Sequence, residues 1–137
     1  DARNGHGAAG LLGEAARGVT GLSLGTGAAG CFPGPRAPRV LWVGVEGDIE
    51  ALGQLQTRIT ETTQTWGTVE HRPFHPHLTL GRVTTRRRQD LELIGRTLEQ
   101  TTMPAPVSWR VESLRLMQST LQPGGSRYEV LREWNLG

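Results

Sequence analysis

An α+β fold built on antiparallel strands is predicted by three features of the chain. Ile49, Leu52, Leu55, Ile59 and Trp66, and again Leu91, Ile94 and Leu98, recur at the spacing of one helix face. Apolar or alternating runs at 40–45, 77–83 and 107–116 have strand length. Pro123-Gly124-Gly125 turns one strand straight back into the next, so hairpins mix with strand-helix-strand units.

In chain order, Ala8, Ala9, Leu11, Leu12, Ala15 and Ala16 predict a helix over 8–17, weakened by Gly10 and Gly13. Val19, Leu22 and Leu24 predict a strand. The glycines and prolines from Gly25 to Pro38 predict a long turn after it, because proline bars a helix there. Residues 40–45 are continuously apolar, as a central strand buried on both faces would be. Asp48 is placed as an N-cap and Gly67 as the stop of the first amphipathic helix. A second helix is predicted over 89–101, ended by Pro104 and Pro106. Val107, Trp109 and Val111 alternate, then the phase slips to Leu114 and Leu116, which predicts a long strand with a bulge near Glu112-Ser113. The last strand is predicted over 126–133.

Composition limits the function. A chain of 137 residues with 36% hydrophobic residues is the size of one domain, and its net charge of +2 does not by itself demand a nucleic-acid partner. All fifteen basic residues are arginine, whose planar fork of donors suits phosphate. Cys31 is the single cysteine, which excludes an intramolecular disulfide and makes the cytoplasm the expected location. No apolar run reaches the ~20 residues of a membrane span, so no membrane partner is expected.

The chemistry concentrates in 72–83. His77 and Thr79 stand two apart on a predicted strand and so share a face. A proton-moving imidazole beside a hydroxyl that hydrogen-bonds a phosphoryl oxygen is half of a site for cleaving a phosphate ester without metal. Three other patterns are set aside. Gly25-Thr26-Gly27-Ala28-Ala29-Gly30 spells a dinucleotide fingerprint, but the prolines that follow forbid the helix it must open. His71, His75 and His77 could be a metal cluster, yet Pro76 interrupts the strand and only Glu70 stands near as a carboxylate. Arg86-Arg87-Arg88 reads as a solvated loop that could touch a nucleic-acid backbone.

Phe74-His75-Pro76-His77-Leu78-Thr79-Leu80-Gly81-Arg82 resembles the second His-x-Thr motif of the two-histidine phosphoesterases, in particular the bacterial RNA 2′,3′-cyclic phosphodiesterases also called 2′-5′ RNA ligases. Phe32-Pro33 and 38–45 upstream, with 114–119 and Gly125-Ser126-Arg127-Tyr128 downstream, agree in order, so the likeness spans about residues 8–133. The resemblance implies two-lobed antiparallel sheets with outer helices around a central cleft, in a single domain over 1–137. It also implies hydrolysis of RNA 2′,3′-cyclic phosphate ends to 2′-phosphates, with 2′-5′ ligation as the reverse, by acid-base chemistry without a cofactor or metal. It assigns His77 as general base, Thr79 as phosphate ligand and Arg82 as a second, charged phosphate ligand. Five residues from His77, Arg82 belongs on the opposite face of an ideal strand, and Gly81 could supply the bend that brings it back.

The family's earlier His-x-Thr motif has no match here. His6 lacks a threonine at the right place. Since the chain opens on Asp1, the expectation is an N-terminally truncated, monomeric phosphoesterase, inactive or very weak alone, with one sheet left with an unpaired edge. RNA termini or nucleoside cyclic phosphates are the expected partners. The alternative is a module that binds RNA ends or another phosphate ligand without turning it over.

Overall fold

The computed structural model of the chain describes residues 2–69 and 72–137, without the side chains of 2–6 and 8. Glu70, His71 and the side chain of His6 thus lie outside the described residues. Nine elements follow in order: α1 (Ala2–Ala16), β1 (Leu22–Phe32), β2 (Val40–Gly47), α2 (Ile49–Thr63), β3 (His77–Arg82), α3 (Arg88–Gln100), β4 (Ser108–Val111), β5 (Ser113–Gln122) and β6 (Gly125–Asn135). This is the α+β fold with antiparallel strands that the sequence predicts.

The strands form a four-stranded sheet in the order β3-β2-β1-β4 and a two-stranded sheet, β5-β6. The chain divides into two compact units. One comprises 1–22, 50–72 and 110–137, with α1, nearly all of α2 and the β5-β6 hairpin. Its core is built from Ala9, Leu12, Ala15 and Ala16 of α1 with Leu22, Leu55 and Leu136. Gly13 costs α1 helix propensity, but any side chain there would run into the Trp134 indole, so the glycine is where β6 approaches the helix. The Arg58 guanidinium donates to the carbonyl of Arg17 at 3.3 Å and ties α2 to the end of α1.

The other unit, 23–49 and 73–109, holds most of β1, β2, β3 and α3. Leu24, Val43 and Leu91 are buried in it. α3 comes so close to the loop after β1 that a Cβ at Gly95 would collide with the Pro35 carbonyl. Leu91 and Gly95, one helical turn apart, therefore form the buried stripe of α3.

Five expectations are corrected. Residues 25–32 are strand, not turn: β1 runs through its glycines to Phe32 and pairs with β2 over Leu24–Phe32. The helix expected over 8–17 begins at Ala2. The strand expected across 107–116 is two strands in different sheets, parted at Glu112. β2 is central, as expected, but only Val43 in it is buried. The first amphipathic helix also ends at Thr63, short of Gly67, and the Asp48 carboxylate accepts the Ser23 N–H at 2.8 Å.

Candidate active site

β3 is an edge strand, paired on one side with β2. Along β2, side chains alternate faces, so Val40, Trp42 and Gly44 share one. Their partners on β3 are Arg82, Thr79 and His77 respectively. Directly paired residues of an antiparallel ladder project to the same side. His77, Thr79 and Arg82 therefore stand on one face of the sheet, although an ideal strand would put the arginine behind. The device is a bulge: Leu41 pairs with Gly81 and Trp42 with Thr79, which leaves Leu80 as an extra residue. The sequence pointed to a bend at Gly81, and the register shift falls at its neighbour.

Three further residues stand on this side, of which the sequence weighs only His75, as part of a metal cluster. Phe32 of β1 pairs with Val40, and its ring meets the His77 imidazole edge-on, with centroids 5.1 Å apart and planes at 90°. Trp42 lies 5.1 Å from Phe32 and 4.7 Å from the ring of His75. His75 closes the cluster at 5.3 Å from Phe32 and 5.7 Å from His77. Such edge-on ring pairs favour one orientation by about 0.5–1.5 kcal/mol each. Glycine makes room around the cluster: Gly30 stands opposite Trp42, where a Cβ would strike the indole, and Gly44 stands opposite His77.

The His77 Nδ1 lies 2.6 Å from the carbonyl oxygen of His75. A carbonyl can only accept, so Nδ1 carries the hydrogen. In the neutral ring this leaves the Nε2 lone pair free to take a proton. His77, Thr79 and Arg82 are all exposed, and the Arg82 side chain makes no hydrogen bond or ion pair among the described residues. Trp42 Nε1, in contrast, is buried without a hydrogen-bond partner among them.

The opposite face carries Cys31, paired with Leu41. Burial raises the Cys31 thiol above its ordinary pKa, and the Glu99 carboxylate of α3 raises it further. That environment keeps sulfur protonated, the reverse of what a nucleophilic thiol needs. Among the described residues no group of three His, Cys, Asp or Glu side chains could hold a metal ion, and His71 and Glu70 of the histidine cluster lie outside them. The fingerprint-like glycines open no helix, being inside β1. No described helix is long and apolar enough to cross a membrane.

The chain resembles known proteins in both sequence and fold. The family model of the 2′-5′ RNA ligase superfamily matches residues 2–122. A relative from Aeropyrum pernix, named RNA 2′,3′-cyclic phosphodiesterase, is 35% identical over 105 residues, 76% of this chain and 58% of its own length. Another of the same name, from Methanothermobacter thermautotrophicus, is 37% identical over 110 residues, 79% of this chain and 57% of its own. The chain thus spans little more than half the length of these relatives. Among solved structures, a phosphoesterase superposes with a TM-score of 0.69 at 29% identity, covering 99% of this chain and 70% of that one. E. coli LigT in complex with 3′-AMP does so with a TM-score of 0.66 at 26% identity and the same coverage. With the family matched over nearly the whole chain and the fold shared with LigT, this protein belongs to the 2′-5′ RNA ligase superfamily.

Proposed function

We propose that this chain binds the 2′,3′-cyclic phosphate end of RNA and carries one half of the machinery that hydrolyses it to a 2′-phosphate. The observation that supports this reading is the bulge at Leu80, which aligns Arg82 with Thr79 and His77 on one face. In the reaction a water oxygen attacks phosphorus while His77 Nε2 accepts its proton. The bond from phosphorus to the ribose 3′ oxygen breaks, and that oxygen must receive a proton. Thr79 and Arg82 hold the phosphoryl oxygens, where negative charge builds up, the guanidinium through a charge-assisted hydrogen bond. Water attacks in line with the leaving oxygen, so acid and base stand on opposite sides of phosphorus. A single histidine cannot serve both.

The relatives' names support the substrate class, and the absence of a second His-x-Thr motif from this sequence favours a second reading, in which the chain holds the phosphate end without turnover. One experiment separates them. Adenosine 2′,3′-cyclic phosphate is titrated into the chain, and formation of adenosine 2′-phosphate is followed in the presence of EDTA. Binding with measurable 2′-phosphate that His77→Ala abolishes supports the enzyme reading. Binding alone supports the second, and no binding at all sinks both.

A further inference from the structure

We propose that Glu46 is the base-recognising residue of the candidate site and selects guanine in the terminal nucleotide. The inference rests on the reading of this sheet face as the site for a 2′,3′-cyclic phosphate end and extends it from the phosphate to the base beside it.

Glu46 stands on the face of His77. Along β2 it is two residues from Gly44, the partner of His77, and alternation puts both on one side. Its direct partner on β1 is Gly25, but its side chain does not end there. A Cβ on Gly27 would collide with the Glu46 carboxylate, so the side chain lies along β1 over Gly27. Thr26 pairs with Val45 and Ala29 with Val43, which leaves Gly27 and Ala28 across from Gly44. The carboxylate thus leans back to the level of His77. The carboxylate over β1 and the imidazole on β3 flank β2, and with neighbouring strands about 4.8 Å apart they rise from the sheet roughly 10 Å from each other. The floor between them is Gly44, where a Cβ would meet the Ala28 carbonyl at 3.3 Å and the Trp42 ring at 3.7 Å, ordinary contacts or slightly tighter. The bare glycine leaves that gap open to the sugar and base of one nucleotide.

The order of charges along the face gives the carboxylate its task. Arg82 pairs with Val40, Thr79 with Trp42 and His77 with Gly44, so the proposed phosphate ligands extend from His77 away from Glu46. Glu46 is exposed, and its side chain makes no hydrogen bond or ion pair among the described residues. An ionised carboxylate repels phosphate and can only accept hydrogen bonds. In a cyclic-phosphate end both the 2′ and 3′ oxygens are esterified, so the donors left to it are those of the base. Guanine alone presents two adjacent donors, N1–H and the 2-amino group, which match the two carboxylate oxygens with charge-assisted bonds. Adenine and cytosine set a ring-nitrogen lone pair beside the amino group, and uracil flanks its N3–H with two carbonyls. Each of those edges turns a lone pair toward the carboxylate. Unstacked RNA bases are commonly read through this edge.

The test titrates guanosine and adenosine 2′,3′-cyclic phosphates into the chain by calorimetry, beside the Glu46→Gln variant. A well-paired base edge separates the right base from the wrong one by about 5- to 150-fold, and an exposed carboxylate belongs at the lower end. The guanosine nucleotide should therefore bind about five- to tenfold more tightly. Glu46→Gln keeps the size of the side chain but turns one acceptor into a donor. It should weaken the guanosine nucleotide by about that factor and slightly tighten the adenosine one, because a negative charge near the phosphate is gone. Equal affinities in the unaltered chain, or a guanosine preference that survives Glu46→Gln, would overturn the assignment. An equal loss for both nucleotides would make Glu46 a structural residue and overturn it too. If neither nucleotide binds, the reading of the whole face fails with it, whereas binding without preference removes Glu46 alone and leaves His77, Thr79 and Arg82 in their roles.

Discussion

His77 draws its role from two neighbours that act on different parts of the ring. The His75 carbonyl fixes the hydrogen on Nδ1, and Phe32 holds the plane. Since that carbonyl is backbone, His75→Ala keeps it and should leave the base intact, though it removes one ring from the cluster. His77→Ala should lower kcat by ~10²–10⁴ in any longer version of the chain that turns over. Its thermal midpoint should barely move, because the side chain is exposed. In the proposed site Thr79→Ala and Arg82→Ala should each remove one contact to phosphate, worth at most ~2.7–4 kcal/mol and less where exposed. Steady-state rates beside thermal melts check all four, and loss of activity that merely tracks unfolding would make His77 a structural residue. Cys31 gives a pH test on the other face. Its folded pKa is raised, so the fold favours the protonated thiol; that contribution is full below the ordinary thiol range and fades as pH climbs through the folded value. Alkylation by iodoacetamide at mildly alkaline pH should therefore be slower than in the urea-unfolded chain, and equal rates would contradict the assignment.

β3 owes its chemistry to an irregularity. Alternation along 77–79 is visible in the letters, and so were the α+β class, both amphipathic helices and the final hairpin. Parity alone puts Arg82 behind the sheet, because a bulge is a property of the pair of strands and leaves no mark in one of them. The same blindness hid β1: glycines and prolines read as turn, yet the glycines at 27 and 30 are where Glu46 and Trp42 of the neighbouring strand come across. Phe32, Trp42 and His75 were missed as a cluster because nothing local links them. Two predictions belong here. Deleting Leu80 should restore a regular ladder in which Arg82, now four residues from His77, stays opposite Val40 on the face of His77 and Thr79. The deletion should therefore weaken cyclic-phosphate binding far less than Arg82→Ala does; a loss as large as that of Arg82→Ala would mean that facing alone does not place the arginine. Gly30→Ala would drive its methyl into the Trp42 indole and should cost ~1–3 kcal/mol in a urea melt. The weaker binding that accompanies it should have the site's rings as its cause, seen as a shift in Trp42 fluorescence.

At the scale of the molecule, the constraint is the geometry of phosphorus. In-line displacement needs a proton acceptor and a proton donor on opposite sides, and His77 with Thr79 and Arg82 stands on a single sheet face. The sequence holds one His-x-Thr triplet. The chain also spans little more than half of relatives named for the complete reaction. Occupancy and turnover should therefore separate. Residues 1–137 should bind adenosine 2′,3′-cyclic phosphate through Thr79 and Arg82, but open it ~10²–10⁴ times more slowly than the Methanothermobacter relative assayed beside it, the usual contribution of one acid-base group. The deficit should lie in kcat and not in KM, because the missing proton donor matters only once the 3′ oxygen begins to leave. EDTA should change neither rate. If the chain matches its relative in kcat, a proton donor outside the His-x-Thr pattern completes the site, and the one-sided reading of this sheet face is wrong. If KM alone is impaired, the phosphate ligands are misassigned instead.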